Sequence, residues 1–466
     1  MRTRGPHAWD VYDLVSSTYT CPLTFDLRAR PTARLLPVLG LGFGLAVAIG
    51  NTIGAGIFRT PGEVAAHLPS APLFMTAWAV GGLYALLGAI QIAELGTMLP
   101  QSGGQYVFSR YALGEYAGFI VGWSDWLSTC GTTAAVSIVV GEFSGGLVPA
   151  LRDQQTAVAV VIAILFAIAQ WRGVREGSLV QNSTSVMKAL AFAALIVAAF
   201  VLGHRDSAPA AAAAALPSGM ALVAAFVVSL QAVIYTYDGW TGVIYFSEEV
   251  VTPDRDIPRS LIGGVLTIIA IYLLINFAFL YVLPLSSLAG ETFAASAVAR
   301  AIFGELGTPI LSAITIVSLL SAVNSNHLMA SRVLYAMSRD GLMATRAATV
   351  NEGGTPTFAL FVSAAVALLF IVFGRTFATI ITILSFFFVA NYTLSFISVF
   401  VLRRREPDRA RPFRAWGYPW TTAVALLGSV AFLAGAVASD TRNSLYALLL
   451  LAASYPGYRF VRSGRL

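Results

Sequence analysis

The sequence predicts an all-α integral membrane protein of about twelve spans, organised as two five-span units repeated in opposite sense. Three observations carry this. The 466-residue chain is 57% hydrophobic and only 11% charged, with a mean hydropathy of +0.76, whereas soluble domains carry about 25% charged residues. Two apolar segments, around Gly54 and around Gly239, are interrupted by glycines and polar residues where a membrane helix would be expected to run on. The arginines are also divided very unevenly between alternate loops.

Residues 1–35 carry Arg2, Arg4, Asp10, Asp13, Asp26, Arg28, Arg30 and Arg34 without a long apolar run, and are expected to form a cytoplasmic extension rather than a secretory signal. Windows of about 20 apolar residues then place spans near 38–67, 70–98, 113–147, 156–171, 178–203, 218–249, 259–284, 307–338, 357–373, 376–402, 418–438 and 441–461. Residues 36–203 hold the first five, 218–402 the next five, and 403–466 a basic loop, the last two spans and the tail. The two interruptions lie five spans apart, an odd number, so the second unit would cross the membrane in the opposite sense to the first. With the N-terminus in the cytoplasm, every arginine but six (Arg59, Arg152, Arg205, Arg300, Arg375 and Arg442) falls inside. The positive-inside rule therefore predicts a multi-pass protein of the cell membrane with both termini cytoplasmic. The cluster Arg403–Arg414 is the strongest single marker of that topology, read as an anchor beside anionic lipid. Between spans, 100–115 is a polar, helix-capable connection and 208–216 a low-complexity loop. Residues 287–306 read as a short cap, and 338–356 as a basic loop with turns at Asp340-Gly341 and Gly353-Gly354.

The first interruption is Gly50-Asn51-Thr52-Ile53-Gly54-Ala55-Gly56-Ile57-Phe58. A helix broken at the membrane midplane is a candidate site, because its freed backbone groups are tolerated only where they line a cavity, and the N–H end of its second half favours an anion. Close helix packing is the competing reading, since Gly50 and Gly54 form a small-xxx-small pair. The second interruption, Tyr235-Thr236-Tyr237-Asp238-Gly239-Trp240, puts an aspartate inside an apolar span, which is costly unless it meets water, a partner or a ligand. Lys188, the only lysine, lies in span five. Arginine stays charged, whereas a buried lysine can lose its proton near neutral pH, so Lys188 is read as a proton-coupling group or a fixed cation at a sodium position. Snorkelling to the cytoplasmic face is the alternative. Glu94 reads as an interfacial or capping acid, and Asp125 as a buried polar tie with a proton relay as the alternative. For Glu248 and Glu249 a gate salt bridge of the exposed kind, contributing at most about 1 kcal/mol, competes with ordinary solvation. Ser318, Ser321 and Asn324 make span eight polar and are candidates for lining the pathway, with interhelical hydrogen bonding as the equal alternative.

Other function classes find little support. Cys21 and Cys130 make no disulfide framework, no His/Cys/Asp group has metal-ligand spacing, and no G-x-S-x-G turn occurs. The sole lysine is followed by Ala189, so no Walker A loop is present and transport would be secondary. No enzyme activity, cofactor, metal or nucleic-acid partner is expected; the net charge of +6 reads as topology.

Gly50–Phe58 with Pro61-Gly62, and Glu94-Leu-Gly-Thr-Met-Leu-Pro-Gln-Ser-Gly-Gly-Gln-Tyr106, resemble the amino acid–polyamine–organocation permeases. Tyr237-Asp238-Gly239-Trp240 followed by Glu248-Glu249 and Pro253 is similar to their L-type amino acid transporter and bacterial exchanger branch. The resemblance covers about residues 36–405. It implies a LeuT-like fold with broken helices one and six around an amino acid. The carboxylate would meet the backbone at Ala55, Gly56 and Ile57, near Thr52 and Ile53, with Gly54 in the same site. The ammonium would meet carbonyls around Tyr235 and Thr236, beside Tyr237, Asp238 and Gly239, with Tyr235 at the gate. Lys188 would match sodium-independent or proton-coupled members, making protons a candidate partner beside the amino acid and the bilayer. The loop 148–156 lacks the cysteine through which animal light subunits join a heavy chain, so no disulfide-linked heavy subunit is expected. Thr236 and Asp238 depart from the small or neutral residues frequent there, leaving side-chain preference open. The expected function is a sodium-independent amino acid transporter working by alternating access, as proton symporter or exchanger. The alternatives are a polyamine or organic-cation antiporter, and a non-transporting sensor or channel.

Overall fold

Long apolar runs with interior glycine become long helices, and the chain turns where Gly, Pro or a charged cluster interrupts them. The computed structural model describes residues 35–203, 215–373 and 377–463. The N-terminal extension with Cys21, and the Arg205 and Arg375 positions with most of the 208–216 loop, lie outside the described residues. The helices are α1 (Leu41–Thr52), α2 (Gly56–His67), α3 (Ala71–Met98), α4 (Gln105–Leu113), α5 (Glu115–Leu147), α6 (Gln155–Arg172), α7 (Val174–Leu202) and α8 (Met220–Tyr237). A 3₁₀ stretch, Trp240–Glu249, continues α8. There follow α9 (Pro253–Val282), α10 (Ala294–Phe303), α11 (Gly307–Arg339), α12 (Thr357–Phe373), α13 (Phe377–Arg405), α14 (Trp420–Ser439), α15 (Thr441–Ala452) and α16 (Ser454–Arg462).

Among the described residues nine helical segments are long and apolar enough to cross a membrane, and the bent pair α1–α2 makes a tenth. The shortfall from twelve has local causes. The ninth predicted span, α12, has 17 residues. The twelfth breaks at Ala453 into α15 and α16, whose Tyr458 and Arg462 reach back to Glu115 at the start of α5, each at 2.9 Å. The connection 100–115 does form a helix, α4, and α10 occupies the predicted cap.

Two polar ties shape the end of the bundle that carries the basic loop. Glu94, only 2% exposed, receives Arg403 through two hydrogen bonds of 2.7 and 2.6 Å and the Ala415 backbone N–H at 2.7 Å, with Arg411 at 3.2 Å. Glu94 is therefore a buried clamp rather than an interfacial acid, and Arg403 and Arg411 point into the protein. The second tie is backbone pairing: Leu39 N–H donates to Glu249 O at 2.8 Å and Val251 N–H to Leu39 O at 2.9 Å. It secures the chain entering α1 to the far end of the 3₁₀ stretch.

Candidate functional site

Between α1 and α2 the helix stops at Thr52, Ile53 becomes extended, and helix resumes at Gly56 after a 45° bend. The carbonyls freed by that stop must find other donors in an apolar surrounding. Lys188 Nζ donates to Gly50 O at 2.5 Å and to Ile53 O at 2.6 Å. Ser318 Oγ donates to Ile53 O at 3.1 Å, and Tyr272 OH to Thr52 O at 2.9 Å. Lys188 is fully buried, so it does not snorkel, and its Nζ is held by the Gly50 and Ile53 carbonyl oxygens. The two readings of the glycines apply to different residues. A Cβ at Gly50 would come within 2.5 Å of Gln181, Ser185 and Ser321, so Gly50 lets α1 lie against α7 and α11. At Gly54 nothing lies nearer than 4.0 Å.

The second interruption follows Tyr237. Asp238 is extended, and Gly239 takes φ +110°, a conformation that L side chains rarely adopt. A Cβ there would also lie 2.9 Å from the Asn51 backbone. The two interruptions touch: Asn51 Nδ2 donates to Gly239 O at 3.2 Å, and the Thr60 and Thr236 hydroxyls meet at 2.7 Å. Tyr272 OH also reaches Thr236 O at 3.0 Å, so one hydroxyl binds a freed carbonyl from each break.

A cavity of about 70 Å³ lies between them. Of the predicted residues, Thr52, Gly54, Ala55 and Gly56 line one wall, and Tyr235, Thr236, Asp238 and Gly239 the other. Ile53, Ile57 and Tyr237 do not. The Ile53 and Ile57 side chains, on either side of the bend, face the core, and Tyr237 packs on Trp78 and Tyr272 with ring centroids at 6.2 and 4.9 Å. Ser318, Ser321 and Asn324 also fall outside the lining: Ser318 serves Ile53 O, while Ser321 and Asn324 bond Gln181 at 3.1 and 2.9 Å. The face of α11 that does line it carries Ala322, Asn326 and Met329, offset by one or two residues from the one we named.

Sequence reasoning missed several lining residues. Asn51 stands in the interrupted stretch itself and accepts from Ser325 at 3.1 Å and Asn326 at 2.8 Å. Thr129 and Thr132 were signalled by a polar patch in span three; Tyr245 and Tyr392 carried no signal. Tyr392 OH donates to Asp238 and its ring stacks on Trp240 at 5.3 Å, and Tyr245 OH donates to Asp125 Oδ1 at 2.7 Å. Asp125 is thus the buried tie expected of it. The cavity offers the N-terminal end of α2 on one wall and the Asp238 carboxylate at the C-terminal end of α8 on the other. That polarity suits a small molecule carrying an anion and a cation.

Past the cavity, the bundle is sealed differently at its two ends. At the basic end, Arg332 donates to both oxygens of Glu249 at 3.0 Å, both side chains being 0% exposed. Arg339 meets Glu248, Ser102 N–H reaches Glu248 at 3.1 Å, and Arg110 and Tyr106 hold Asp340 at 3.2 and 2.9 Å. The Glu249 pair is therefore not of the exposed, weak kind anticipated. At the opposite end Arg59 meets Glu142 at 2.6 Å, the two side chains 22% and 31% exposed, and lies 4.3 Å over the Phe293 ring.

A family model described as "Amino acid permease" matches residues 44–454. Among curated proteins, the chain is similar to the serine/threonine exchanger SteT of Bacillus subtilis (strain 168), 30% identical over 90% of this chain and 95% of that protein. It is 27% identical to the human b(0,+)-type amino acid transporter 1 over 90% and 87% of the two chains. To the mouse Asc-type amino acid transporter 1 it is 27% identical over 81% and 72%.

Proposed function

This chain belongs to the amino acid permease family of secondary amino acid transporters, and we propose that it works without sodium, as an amino acid exchanger or proton symporter. It is a multi-pass membrane transporter, not an enzyme. The observation that carries the proposal is Lys188, whose ammonium satisfies the Gly50 and Ile53 carbonyls that a sodium ion would otherwise coordinate. The substrate carboxylate meets the backbone N–H groups of Ala55, Gly56 and Ile57 where α2 begins, because every α-amino acid carries it and a helix N-terminus attracts it. The ammonium meets the end of α8, between Tyr235, Thr236 and Asp238, and Tyr235 forms the gate. Small hydroxylic amino acids are the first candidates, given the small cavity and the likeness to a serine/threonine exchanger. Asp238 supports a second reading, a cationic amino acid or polyamine, because among the described residues no basic side chain lines the cavity beside it.

The same reading places the basic end in the cytoplasm of the plasma or inner membrane with both termini inside, and treats 36–203 and 218–402 as inverted repeats. No disulfide-linked heavy subunit is needed, because 148–156 holds no cysteine and Cys130 is buried.

The test is uptake into proteoliposomes of serine, alanine, lysine and putrescine, in sodium and in choline buffer, with and without internal amino acid or a pH gradient. Uptake equal in the two buffers and stimulated by either driving force supports the proposal; uptake that requires sodium overturns it. Lys188→Ala removes two charge-assisted hydrogen bonds, each worth about 1.5–3 kcal/mol, and is expected to cut uptake at least tenfold. Unchanged pH dependence between about pH 5 and 8 in that variant would remove the lysine from proton coupling. Putrescine uptake without alanine or lysine uptake would favour the polyamine reading.

A further inference from the structure

We propose that a groove at the basic end of α9 is a binding site for an anionic phospholipid of the adjoining leaflet. The groove has a volume of about 570 Å³. One wall is a single face of α9, with Arg255, Arg259, Ile262 and Leu266 spaced at i, i+4, i+7 and i+11. The other wall is Phe413 and Trp416 from the loop before α14, Trp416 being 60% exposed. The Glu94 clamp on Arg411 and Ala415 fixes that second wall from behind.

The wall chemistry runs from cationic to apolar along the helix. Arg255 and Arg259 are exposed and have neither an ion pair nor a side-chain hydrogen bond among the described residues. They contrast with Arg332, Arg339, Arg403 and Arg411 at the same end, all engaged by carboxylates. Asp254 also borders the groove and opposes an anion, leaving two cations against one carboxylate. Below them Ile262 and Leu266 are partly or largely exposed. From Arg255 to Leu266 the helix rises about 16 Å, close to the roughly 15 Å of one leaflet's hydrocarbon. A phosphate between the guanidiniums therefore lets an acyl chain descend beside Leu266, with the Trp416 ring at headgroup level. A free anion would use only the upper part of this groove. The site sits immediately after the 3₁₀ stretch and Glu249, beside the most tightly sealed part of the bundle. It is independent of the transport proposal, since it needs only that the chain is embedded in a bilayer.

The experiment is native mass spectrometry of the purified full-length protein titrated with phosphatidylglycerol or phosphatidylcholine. Wild type is expected to bind phosphatidylglycerol preferentially. Each of Arg255→Gln and Arg259→Gln should weaken that binding about fivefold and the pair about thirtyfold, from two cations beside an anionic headgroup. Phosphatidylcholine binding should not change. Arg414→Gln, an exposed arginine outside the groove, should have no effect. Asp254→Asn should tighten phosphatidylglycerol binding, an arm that does not depend on the double variant folding. Equal binding of the two lipids, undiminished phosphatidylglycerol binding in the double variant, or full displacement of the lipid by inorganic phosphate would each overturn the proposal.

Discussion

The two ends of the bundle are closed by the same chemistry, arginine against glutamate, in opposite surroundings. At the basic end Arg332 and Glu249 are wholly buried and bidentate, backed by Arg339–Glu248, by Asp340 and by the backbone pairing of Leu39 with residues 249 and 251. At the other end the partly exposed pair Arg59–Glu142 rests on Phe293, itself edge-on to Phe143 at 4.9 Å. Removing one partner of a buried pair costs about 3–5 kcal/mol because the other charge is stranded, whereas an exposed pair contributes about 0–1 kcal/mol. The cavity thus has one heavy and one light seal. The Arg59 end is expected to yield first from this conformation.

The largest effect is expected at the heavy seal. Glu249→Gln or Arg332→Met should lower stability by about 3–5 kcal/mol in thermal unfolding of the solubilised protein, and Glu249→Leu with Arg332→Met should restore most of the loss. A cost under about 1 kcal/mol for either single change would erase the contrast between the ends.

Gly239→Ala comes next. It puts a Cβ on a φ of +110° and against the Asn51 backbone, costing about 1–2 kcal/mol for the backbone alone. Substrate affinity should fall about tenfold while membrane insertion is retained; an unchanged KM would mean that the contact between the two breaks does not shape the cavity.

At the light seal, Arg59→Gln should alter stability by less than about 1 kcal/mol. It should still speed labelling of a Thr132→Cys cavity reporter, in a background with Cys21 and Cys130 replaced, by an impermeant thiol reagent from the Arg59 end. Labelling as slow as with Arg59 present would show that Phe293 alone closes that end. The smallest effect is ionic. Raising salt from 0.15 to 1 M shortens the Debye length from about 8 to about 3 Å, and should hasten that labelling slightly while leaving the Glu249 end unaffected.

Hydropathy and glycine placement were enough to read the helical class, both breaks, and Lys188 as the one lysine inside a span, because burying a peptide group or a charge in hydrocarbon is so costly that its sequence trace is plain. Asp238 was legible for the same reason. Which faces of those helices meet was not. The side chains of Ile53, Ile57 and Tyr237 face the core although the residues lie in or beside the breaks, while Asn326 rather than Asn324 lines the cavity. A helix turns about 100° per residue, so a register known to within one residue leaves its inward face undetermined until neighbouring helices fix it. Tyr272, Tyr245 and Tyr392 reach the breaks and their acids only through tertiary contact. The same holds for charge strength. Glu94 read from the chain as an interfacial or capping acid and Glu249 as a partner in an exposed gate pair, and only folding buried them against Arg403 and Arg332. The sequence by itself determined that helices break and that charges lie within spans. The tertiary structure alone decided which carbonyls Lys188 serves, which arginines remain unpaired, and which end of the molecule is closed tightly. These depend on distances between segments far apart in the chain, which no local pattern encodes.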